Sequence, residues 1–348
     1  MTTSYPRNAD DPSGHFVRSS ARAHAIAGDD VHVIAPGGSA WTPPERDGPL
    51  QIHRAGGGAL FTWPGALART RQAPWRLLDG IPFTAGVLHR LRTIHPVDLA
   101  VAHWIIPSAF PLLHAIPRVP LCVHAHGADV RLLRQAPRQL REFILHLLLE
   151  RGAHFVFAAR ALRDSLVDAL PSPLASALMR AASVEPPSIE IPDVAVRAKA
   201  LRDSLQLDPH QRLAVTVSRL IPSKRVDLVV EAARVSPPSL RYCIVGDGPE
   251  QGALTRTSSP SIRFLGALPR TEALSWIAAA DVLLHPSTVE AAPTVIREAR
   301  ALGVPVVACA AGDVAAWAAH DPGIHITAPD HRAIARVLAT IARRAFPE

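Results

Sequence analysis

Residues 287–308 read STVEAAPTVIREARALGVPVVA and hold two carboxylates, Glu290 and Glu298, with seven residues between them. The apolar segment that precedes them, residues 281–286, predicts a buried strand. Pro293 suits the first position of a helix, so Glu298 is predicted on that helix, and a second apolar strand follows directly. Glu290 then lies at the carboxyl end of a strand and near a helix N-terminus. Open α/β sheets bind ligands at such ends, and free backbone N–H groups there favour anions.

The same alternation of short apolar runs and helical patterns extends along the whole chain. Many of the intervening segments are roughly 10 to 20 residues long with a helical period, which indicates βαβ order and parallel sheets covered by helices on both faces. The predicted fold class is therefore α/β, with two Rossmann-like doubly wound domains that face a central cleft. The predicted strands are residues 31–34, 99–102, 121–124, 155–157, 213–217, 242–245, 262–265, 282–284, 304–308 and 324–326.

The domain boundary is predicted at the adjacent prolines Pro186 and Pro187, because such a pair resists both helix and central strand. The first domain is placed at residues 1–187 and the second at residues 188–328. Residues 329–348 are predicted to form a C-terminal helix, a candidate for packing back on the first domain. The chain opens MTTSYP, where a first buried strand is expected. We expect that the natural start lies upstream or that this strand is unusually short.

Composition describes a globular protein, with 48% hydrophobic and 19% charged residues among 348. No apolar run approaches the roughly 18 to 20 residues that span a bilayer, and no signal-peptide pattern opens the sequence. The cysteines Cys122, Cys243 and Cys309 lie in or beside apolar runs. They indicate buried thiols in a reduced, cytoplasmic protein.

The formal net charge is +7, and arginine supplies nearly all of the positive charge, since Lys199 and Lys224 are the only lysines. A basic protein attracts phosphorylated substrates, anionic lipid or nucleic acid. Nucleic acid is disfavoured, because the sequence has neither zinc-finger spacing nor the aromatic pattern of RNA-binding sheets.

Two cations, Arg219 and Lys224, follow the predicted strand at residues 213–217. Cations at the carboxyl end of a strand and beside a helix N-terminus suit a diphosphate. A solvated loop with ordinary surface charges is the alternative. Surface exposure is also the alternative for Glu298, and to a smaller degree for Glu290, since carboxylates are common on exposed helices.

Three further strand ends carry candidate residues. Gly246 and Gly248 follow the strand at residues 242–245 and permit a tight turn, which is also what an ordinary turn would need. His126 follows the strand at residues 121–124. The spacing His-x-His there is compatible with a metal, but no cysteine cluster or zinc motif completes a site, so no metal is predicted. Gly14 lies at the start of a predicted helix, where it allows either the close approach of a phosphate or a simple turn.

In their order and spacing these residues resemble the retaining nucleotide-sugar glycosyltransferases of glycosyltransferase family 4, which have the GT-B fold. The resemblance covers nearly the whole length. It is carried by Tyr5-Pro6, Ser13-Gly14, His126-Gly127, residues 218–224, residues 246–249, Phe264-Leu265-Gly266, Ala279-Ala280-Asp281, Glu290 and Glu298.

The resemblance implies a nucleotide-diphosphate sugar as the donor substrate, with no cofactor and no metal. Arg219 and Lys224 would hold the donor diphosphate and stabilise the leaving group. Glu290 would bind hydroxyls of the donor sugar, and Glu298 the ribose. His126 would approach the transferred sugar from the first domain, and no dedicated carboxylate base would be required. The other residues implied in donor binding are Gly14, Gly246, Gly248, Ala267, Leu268, Ala292, Pro293, Thr294 and Val295.

The chain departs from the family pattern at several positions. Ala291 replaces the glycine that usually follows the first glutamate, and its Cβ is expected to shift the backbone or narrow the sugar pocket. The remaining departures are Ser218 and Arg225 where glycine is usual, Ala159 where serine is usual, and Pro187-Ser188-Ile189-Glu190 where Asn-Gly-Val-Asp or similar is usual.

The acceptor is expected to bind mainly to the first domain and is a glycan, a lipid-linked molecule or a small molecule. Residues 61–92 are basic and aromatic, with Asp79 as the only acid. They predict either a peripheral contact with the inner face of the membrane or, preferably, packed helices with a solvated basic face. Two alternatives to a transferase are a non-catalytic sugar-nucleotide-binding relative and a GT-B nucleotide-sugar epimerase. Donor binding without turnover would favour the first, and free nucleotide released with an epimerised sugar would favour the second.

Overall fold

The computed structural model describes residues 1–7, 11, 13–62, 65–94 and 96–344. By its internal contacts the chain divides into two compact units, Met1–Ser188 and Ile189–Glu348. Each unit is built on parallel strands with helices between them, which confirms the predicted α/β class.

The first unit contains two groups of strands. β1, β3 and β2 form one group in that order, with β2 antiparallel to β3, and β4, β5, β6 and β7 form a parallel group. The strands are β1 (His32–Ala35), β2 (Glu45–Asp47), β3 (Leu50–Arg54), β4 (Ala100–His103), β5 (Leu121–Ala125), β6 (His154–Phe157) and β7 (Ala182–Val184). The helices are α1 (His15–Ile26), α2 (Ala66–Gln72), α3 (Gly80–Ile94), α4 (Ala109–Ala115), α5 (Ala128–Gln135), α6 (Arg138–Glu150), α7 (Arg160–Val167) and α8 (Ser172–Arg180), with a 3-10 helix at Pro74–Asp79.

The first residues of the chain lie between these two groups of strands. Thr2 donates its backbone N–H to Ile34 in β1, at 3.0 Å. On the other side, His103 in β4 donates to the carbonyl of Met1, at 2.9 Å. Met1 and Thr2 therefore occupy the position at which the sequence predicted a first buried strand.

The second unit is a single six-stranded parallel sheet in the order β10-β9-β8-β11-β12-β13. This order reverses between β8 and β11, as it does in doubly wound sheets that bind ligands at that point. The strands are β8 (Arg212–Val217), β9 (Leu240–Val245), β10 (Ile262–Gly266), β11 (Val282–His285), β12 (Val306–Cys309) and β13 (Ile324–Thr327). The helices are α9 (Ala195–Ser204), α10 (Val226–Val235), α11 (Gln251–Thr257), α12 (Arg270–Ala279), α13 (Thr294–Ala301), α14 (Val314–Ala318) and α15 (His331–Arg344), with a 3-10 helix at Pro222–Lys224.

Alternate residues along the central strands of the second unit pack on opposite faces of the sheet. Val282 and Leu284 join the apolar core that α10 and α15 cover, whereas Leu283 between them joins the core formed with α12 and α13. This two-residue period is the strand geometry expected when both faces are buried.

All ten strands predicted from apolar runs are present, with boundaries that differ by one or two residues. Three further strands were not predicted. β2 and β7 lie at the edges of their groups and are polar or only half-buried. β3 is interrupted by polar residues, of which His53 and Arg54 are buried. An apolar pattern cannot identify such strands, because their burial depends on neighbours elsewhere in the chain.

Within the second unit, the C-terminal helix α15 packs on α10 through Ile334 and Leu338. The packing of this helix on the first domain stays a prediction, and its last residues, 345–348, lie outside the described part of the chain. No helix among the described residues has the combination of length and apolar character that a bilayer crossing requires.

Candidate functional site

The loops that follow β8 and β11 meet at the point where the strand order of the second unit reverses. The backbone carbonyl of Ser223 accepts hydrogen bonds from the backbone N–H of Thr288, at 3.3 Å, and from Ser287 Oγ, at 3.1 Å. Lys224, from the first loop, forms an ion pair with Glu290, from the second. The structure therefore brings together two residues that lie 66 positions apart in the chain.

Glu290 is held between two partners in a nearly buried position. The Lys224 and Glu290 side chains are 17% and 10% exposed, and His285 Nε2 lies 2.8 Å from the same carboxylate oxygen as Lys224. Because a carboxylate oxygen can only accept, His285 donates from Nε2. Burial by itself raises the pKa of Glu290, but the hydrogen bond and electrostatic effect of His285 and the positive charge of Lys224 outweigh it and lower the pKa to about 2.

A second pair, Glu298 and Arg270, joins α13 to the start of α12. The Arg270 guanidinium donates to Glu298 Oε1 at 2.7 Å and to the backbone carbonyl of Glu190 at 2.8 Å. Glu298 is buried, so the first of these bonds fixes a carboxylate that would otherwise be costly to bury. The structure thus excludes a solvated helix face for Glu298.

The glycines Gly246 and Gly248 allow the loop after β9 to lie directly against the loop after β8. Both have positive φ, and an added Cβ would lie 1.8 Å from the carbonyl oxygen of Ser218 and 2.4 Å from that of Leu220, respectively. The two loops are joined by a hydrogen bond from Leu220 N–H to the Asp247 carbonyl, at 2.7 Å. Close packing of backbone therefore requires these glycines, whether or not they contact a ligand.

The end of β10 is connected to the same group of loops. Gly246 donates its N–H to the carbonyl of Gly266 at 2.7 Å. Ala267 and Leu268 follow at once, the first exposed and the second half-buried.

Arg219 lies in the loop after β8 and is exposed. The loops after β8, β9, β10 and β11 all begin at the same edge of the sheet, because these strands are parallel. They carry most of the predicted donor-binding residues.

The residues after Glu290 lead into α13, with Pro293 directly before its first residue, Thr294. Val295 and Ala292 are half-buried in the same turn. Ala291 is not among the described residues with positive φ, so an alanine there adopts ordinary backbone angles. The backbone shift that the sequence predicted at Ala291 is therefore not required by a left-handed backbone conformation.

Another departure from the family pattern does carry backbone strain. Arg225 has φ 50° and ψ 41°, which is the left-handed conformation, and it precedes α10 directly. Glycine adopts this conformation without strain, whereas a residue with a Cβ does not. Its guanidinium pairs with Asp227 at 2.9 Å, and both groups are about two-fifths exposed, so the pair offsets little of the strain.

In the first unit, His126 follows β5 and is fixed by Asp129. The Asp129 carboxylate accepts the backbone N–H groups of Ile105 at 2.9 Å, His126 at 3.2 Å and Gly127 at 2.9 Å. Burial raises the pKa of Asp129, and these backbone hydrogen bonds oppose the rise. One buried carboxylate thus holds the loops after β4 and β5.

The ring of His126 lies in an aromatic environment. Its centroid is 4.7 Å from Phe16 and 5.1 Å from Trp104. Burial lowers the pKa of His126 to about 3, and the nearby His124 adds to this. The imidazole is therefore neutral near pH 7 and can offer one donor and one acceptor.

Gly14 lies directly before α1 in the first unit. A Cβ at this position would come within 2.3 Å of the Ser4 carbonyl oxygen. The glycine is therefore needed for the packing of the chain start against α1, which is a structural role that the sequence did not reveal.

Sequence reasoning did not single out Arg270 and His285, which hold the two glutamates of the second unit, or Asp129, which holds the loop of His126 in the first. Each was visible only as an ordinary polar residue at the start of a helix or the end of a strand. Of the three, Asp129 has the clearest sequence signal, since the free N–H groups in the first turn of a helix stabilise an acidic side chain there. No pattern pairs Arg270 with Glu298, because they lie on different helices.

Residues 198–344 match the family described as Glycosyl transferases group 1. The match covers less than half of the chain and lies within the second unit. The matched segment contains both ion pairs at the sheet edge, Lys224 with Glu290 and Arg270 with Glu298.

Curated relatives of the chain are similar over part of their length. TuaC of Bacillus subtilis (strain 168), named for a glycosyltransferase role in teichuronic acid biosynthesis, is 29% identical over 229 residues, which are 64% of this chain and 55% of TuaC. The alpha-monoglucosyldiacylglycerol synthase of Acholeplasma laidlawii is 30% identical over 119 residues, which are 32% of this chain and 30% of that protein. The matched parts thus span about half of the first relative and less of the second.

Solved structures resemble the chain over nearly its whole length. Anabaena Alr3699/HepE in complex with UDP has a TM-score of 0.66 and 20% identity, covering 97% of this chain and 89% of HepE. The catalytic domain of Starch Synthase IV from Arabidopsis thaliana, bound to ADP and acarbose, has a TM-score of 0.73 and 15% identity, covering 100% of this chain and 92% of that domain. The chain thus shares the GT-B fold of these structures.

Proposed function

We propose that the protein is a retaining glycosyltransferase that transfers a sugar from a nucleotide-diphosphate sugar to an acceptor. The observation that carries the proposal is the Lys224–Glu290 pair at the strand-order reversal of the second unit. That position is where doubly wound sheets bind nucleotides. The UDP and ADP complexes of similarly folded proteins support a nucleotide ligand.

The cations after β8 act on the leaving group. As the glycosidic bond breaks, positive charge develops on the sugar, as in glycoside hydrolysis, and negative charge develops on the departing diphosphate. Arg219 and Lys224 stabilise that negative charge electrostatically. An ammonium group has three N–H donors, so the bond of Lys224 to Glu290 leaves donors for the diphosphate.

The two glutamates bind the donor and do not exchange protons with it. A carboxylate whose pKa is about 2 is a poor general base near neutral pH, since efficient bases titrate near the working pH. Glu290 therefore accepts hydrogen bonds from hydroxyls of the sugar. Glu298, oriented by Arg270, accepts them from the ribose. The leaving phosphate takes the proton of the acceptor, on the same face of the sugar, which gives retention.

The remaining predicted residues complete the donor site. The backbone at Ala267 and Leu268 contacts the base, and the N–H groups at the start of α13 contact the sugar. Gly246 and Gly248 bring backbone close to the nucleotide.

An acceptor at a membrane surface is supported by an exposed apolar patch in the first unit. Trp75, Leu77, Leu78 and Ile81 are each between 59% and 68% exposed, and the Arg76 guanidinium lies 4.0 Å from the Trp75 ring centroid. Apolar side chains mixed with arginine suit an anionic membrane surface. We therefore place the protein in the cytoplasm, in peripheral contact with the inner membrane face. The diacylglycerol in the name of one relative supports a lipid acceptor.

Loss of the Lys224 ammonium tests the proposed function. We expect Lys224→Ala to lower the turnover of sugar transfer by roughly 10²- to 10³-fold, as removal of one preorganised donor to a developing anion does. The matched control is Lys199→Ala, which removes the only other lysine from an exposed pair with Asp203. Turnover is measured with radiolabelled donors on a panel of acceptors.

Near-normal transfer by Lys224→Ala would contradict the role of this residue. Binding of a donor without transfer to any acceptor would favour a non-catalytic relative instead. A thermal-shift screen with UDP, GDP, ADP and their sugars identifies the donor, because a ligand that binds the folded state raises the melting temperature.

A further inference from the structure

Three histidines converge on one face of the first unit's parallel strands. His124 in β5 is in register with His103 at the end of β4, and His126 lies two residues beyond His124, on the same side of the chain. Only the His-x-His pair was visible in the sequence, because the third histidine comes from a neighbouring strand. One potential ligand atom from each ring lies within 4.8 Å of the others.

We propose that His103, His124 and His126 form a binding site for a divalent transition-metal cation of the Zn²⁺ type. Three imidazole nitrogens are a known protein ligand set for Zn²⁺, and imidazole also suits copper, nickel and iron. The inference does not depend on the proposed function, and it gives His126 a different role from the sugar contact that the resemblance implies.

The distances are close to those of a metal site. For Zn–N bonds of about 2.0 to 2.1 Å in a tetrahedral site, the ligand nitrogens are about 3.4 Å apart. His103 Nδ1 and His126 Nε2 are 3.0 Å apart and are hydrogen-bonded to each other, with ring planes 13° from parallel, so a bound cation takes the place of this hydrogen bond. Because the three nitrogens lie within 4.8 Å of one another, the largest approach that coordination requires is about 1.4 Å, the difference between 4.8 and 3.4 Å.

The cluster opens into a cavity of about 460 Å³ within the first unit. The cavity is also lined by Cys122, His154 and Glu185. Three protein ligands beside such a cavity leave one coordination position for water or a small ligand, as in zinc sites that bind exchangeable ligands.

The experiment is a Co²⁺ titration of the full chain, stripped of metal and freed of any histidine tag. We expect the visible absorption bands of four-coordinate Co²⁺ to saturate at equimolar metal and to disappear when Zn²⁺ is added. Thiocyanate should change the bands by entering the open position. His124→Asn should weaken Co²⁺ binding at least about tenfold, because even a partner of a ligand contributes about 10- to 100-fold.

The matched control is His154→Asn, which changes an exposed histidine of β6 that lines the same cavity but lies outside the cluster. It should bind Co²⁺ like the wild type. No absorption bands in the wild type, bands that survive unchanged in His124→Asn, or an equal loss in His154→Asn would each overturn the proposal. Should His124→Asn fail to fold, X-ray absorption of the Zn²⁺-loaded wild type decides. Three imidazole ligands are expected, and fewer than three contradict the site.

Discussion

At the scale of single residues, the ionisation of Glu290 is the feature on which the candidate site depends most. The carboxylate is nearly buried, yet its pKa is lowered to about 2, because His285 and Lys224 stabilise its negative form more than burial opposes it. A group whose pKa is lower in the folded than in the unfolded state stabilises the fold above its unfolded pKa, here about 4.5, and this contribution is lost as the pH falls toward about 2.

Substitution of Glu290 by glutamine should therefore destabilise the protein in a pH-dependent way. At pH 7 we expect Glu290→Gln to lower the free energy of unfolding by about 3 kcal/mol, because Lys224 and His285 lose their buried partner. The difference from wild type should shrink between pH 4.5 and pH 2. Urea unfolding of the full chain, followed by tryptophan fluorescence at several pH values, measures it.

The control for this experiment is Glu272→Gln. Glu272 pairs with Arg197 at 3.0 Å, but the Arg197 side chain is about half exposed, so the expected change is at most about 1 kcal/mol. A constant difference between Glu290→Gln and wild type over the whole pH range would show that the charge of Glu290 is not the cause.

At the scale of elements, the start of α10 carries a conformational strain that the sequence does not relieve. Arg225 is left-handed at the position where similar sequences usually have glycine. The strain is local, because it arises from contact between the Cβ and the backbone of the same residue. The element nevertheless forms, since α10 buries Leu228, Val229 and Val230 in the core of the second unit.

Comparison of Arg225→Gly with Arg225→Ala isolates this strain, because both variants lose the pair with Asp227. We expect Arg225→Gly to be more stable than Arg225→Ala by about 1 kcal/mol. At Glu231, a half-exposed position inside α10, the order should reverse, with glycine about 1 kcal/mol less stable than alanine. Chemical unfolding of the four variants gives both differences, and the same order at both positions would exclude strain at Arg225.

At the scale of the whole molecule, the proposed membrane contact combines the net charge of +7 with the exposed apolar patch at Trp75, Leu77, Leu78 and Ile81. In this proposal, charge attracts the protein to an anionic surface over roughly a Debye length, and apolar side chains then insert at the interface. Neither feature alone gives stable attachment, which is why attachment should depend on both salt and the patch.

The double variant Leu77→Glu, Leu78→Glu should bind vesicles that contain phosphatidylglycerol at least about tenfold less than wild type at low salt. Insertion of these two exposed leucines into the membrane interface would contribute several kcal/mol, and glutamate does not insert. The control, Val196→Glu with Val235→Glu, adds the same charge at two exposed valines of the second unit. Vesicle co-sedimentation compares them. Equal losses in both double variants would attribute binding to net charge and not to the patch.

The sequence alone determined the βαβ order, the ten buried strands and the strand ends that carry Lys224, Glu290 and His126. Apolar runs report burial directly, and the carboxyl ends of parallel strands share one edge. Only the tertiary structure decided which of these residues meet. Lys224 finds Glu290 because β8 and β11 are neighbours, Arg270 finds Glu298 because α12 and α13 are packed together, and His103 joins His124 because β4 and β5 are in register. Which residues pair across strands and helices depends on which elements are neighbours, and no local pattern in the sequence specifies those neighbours.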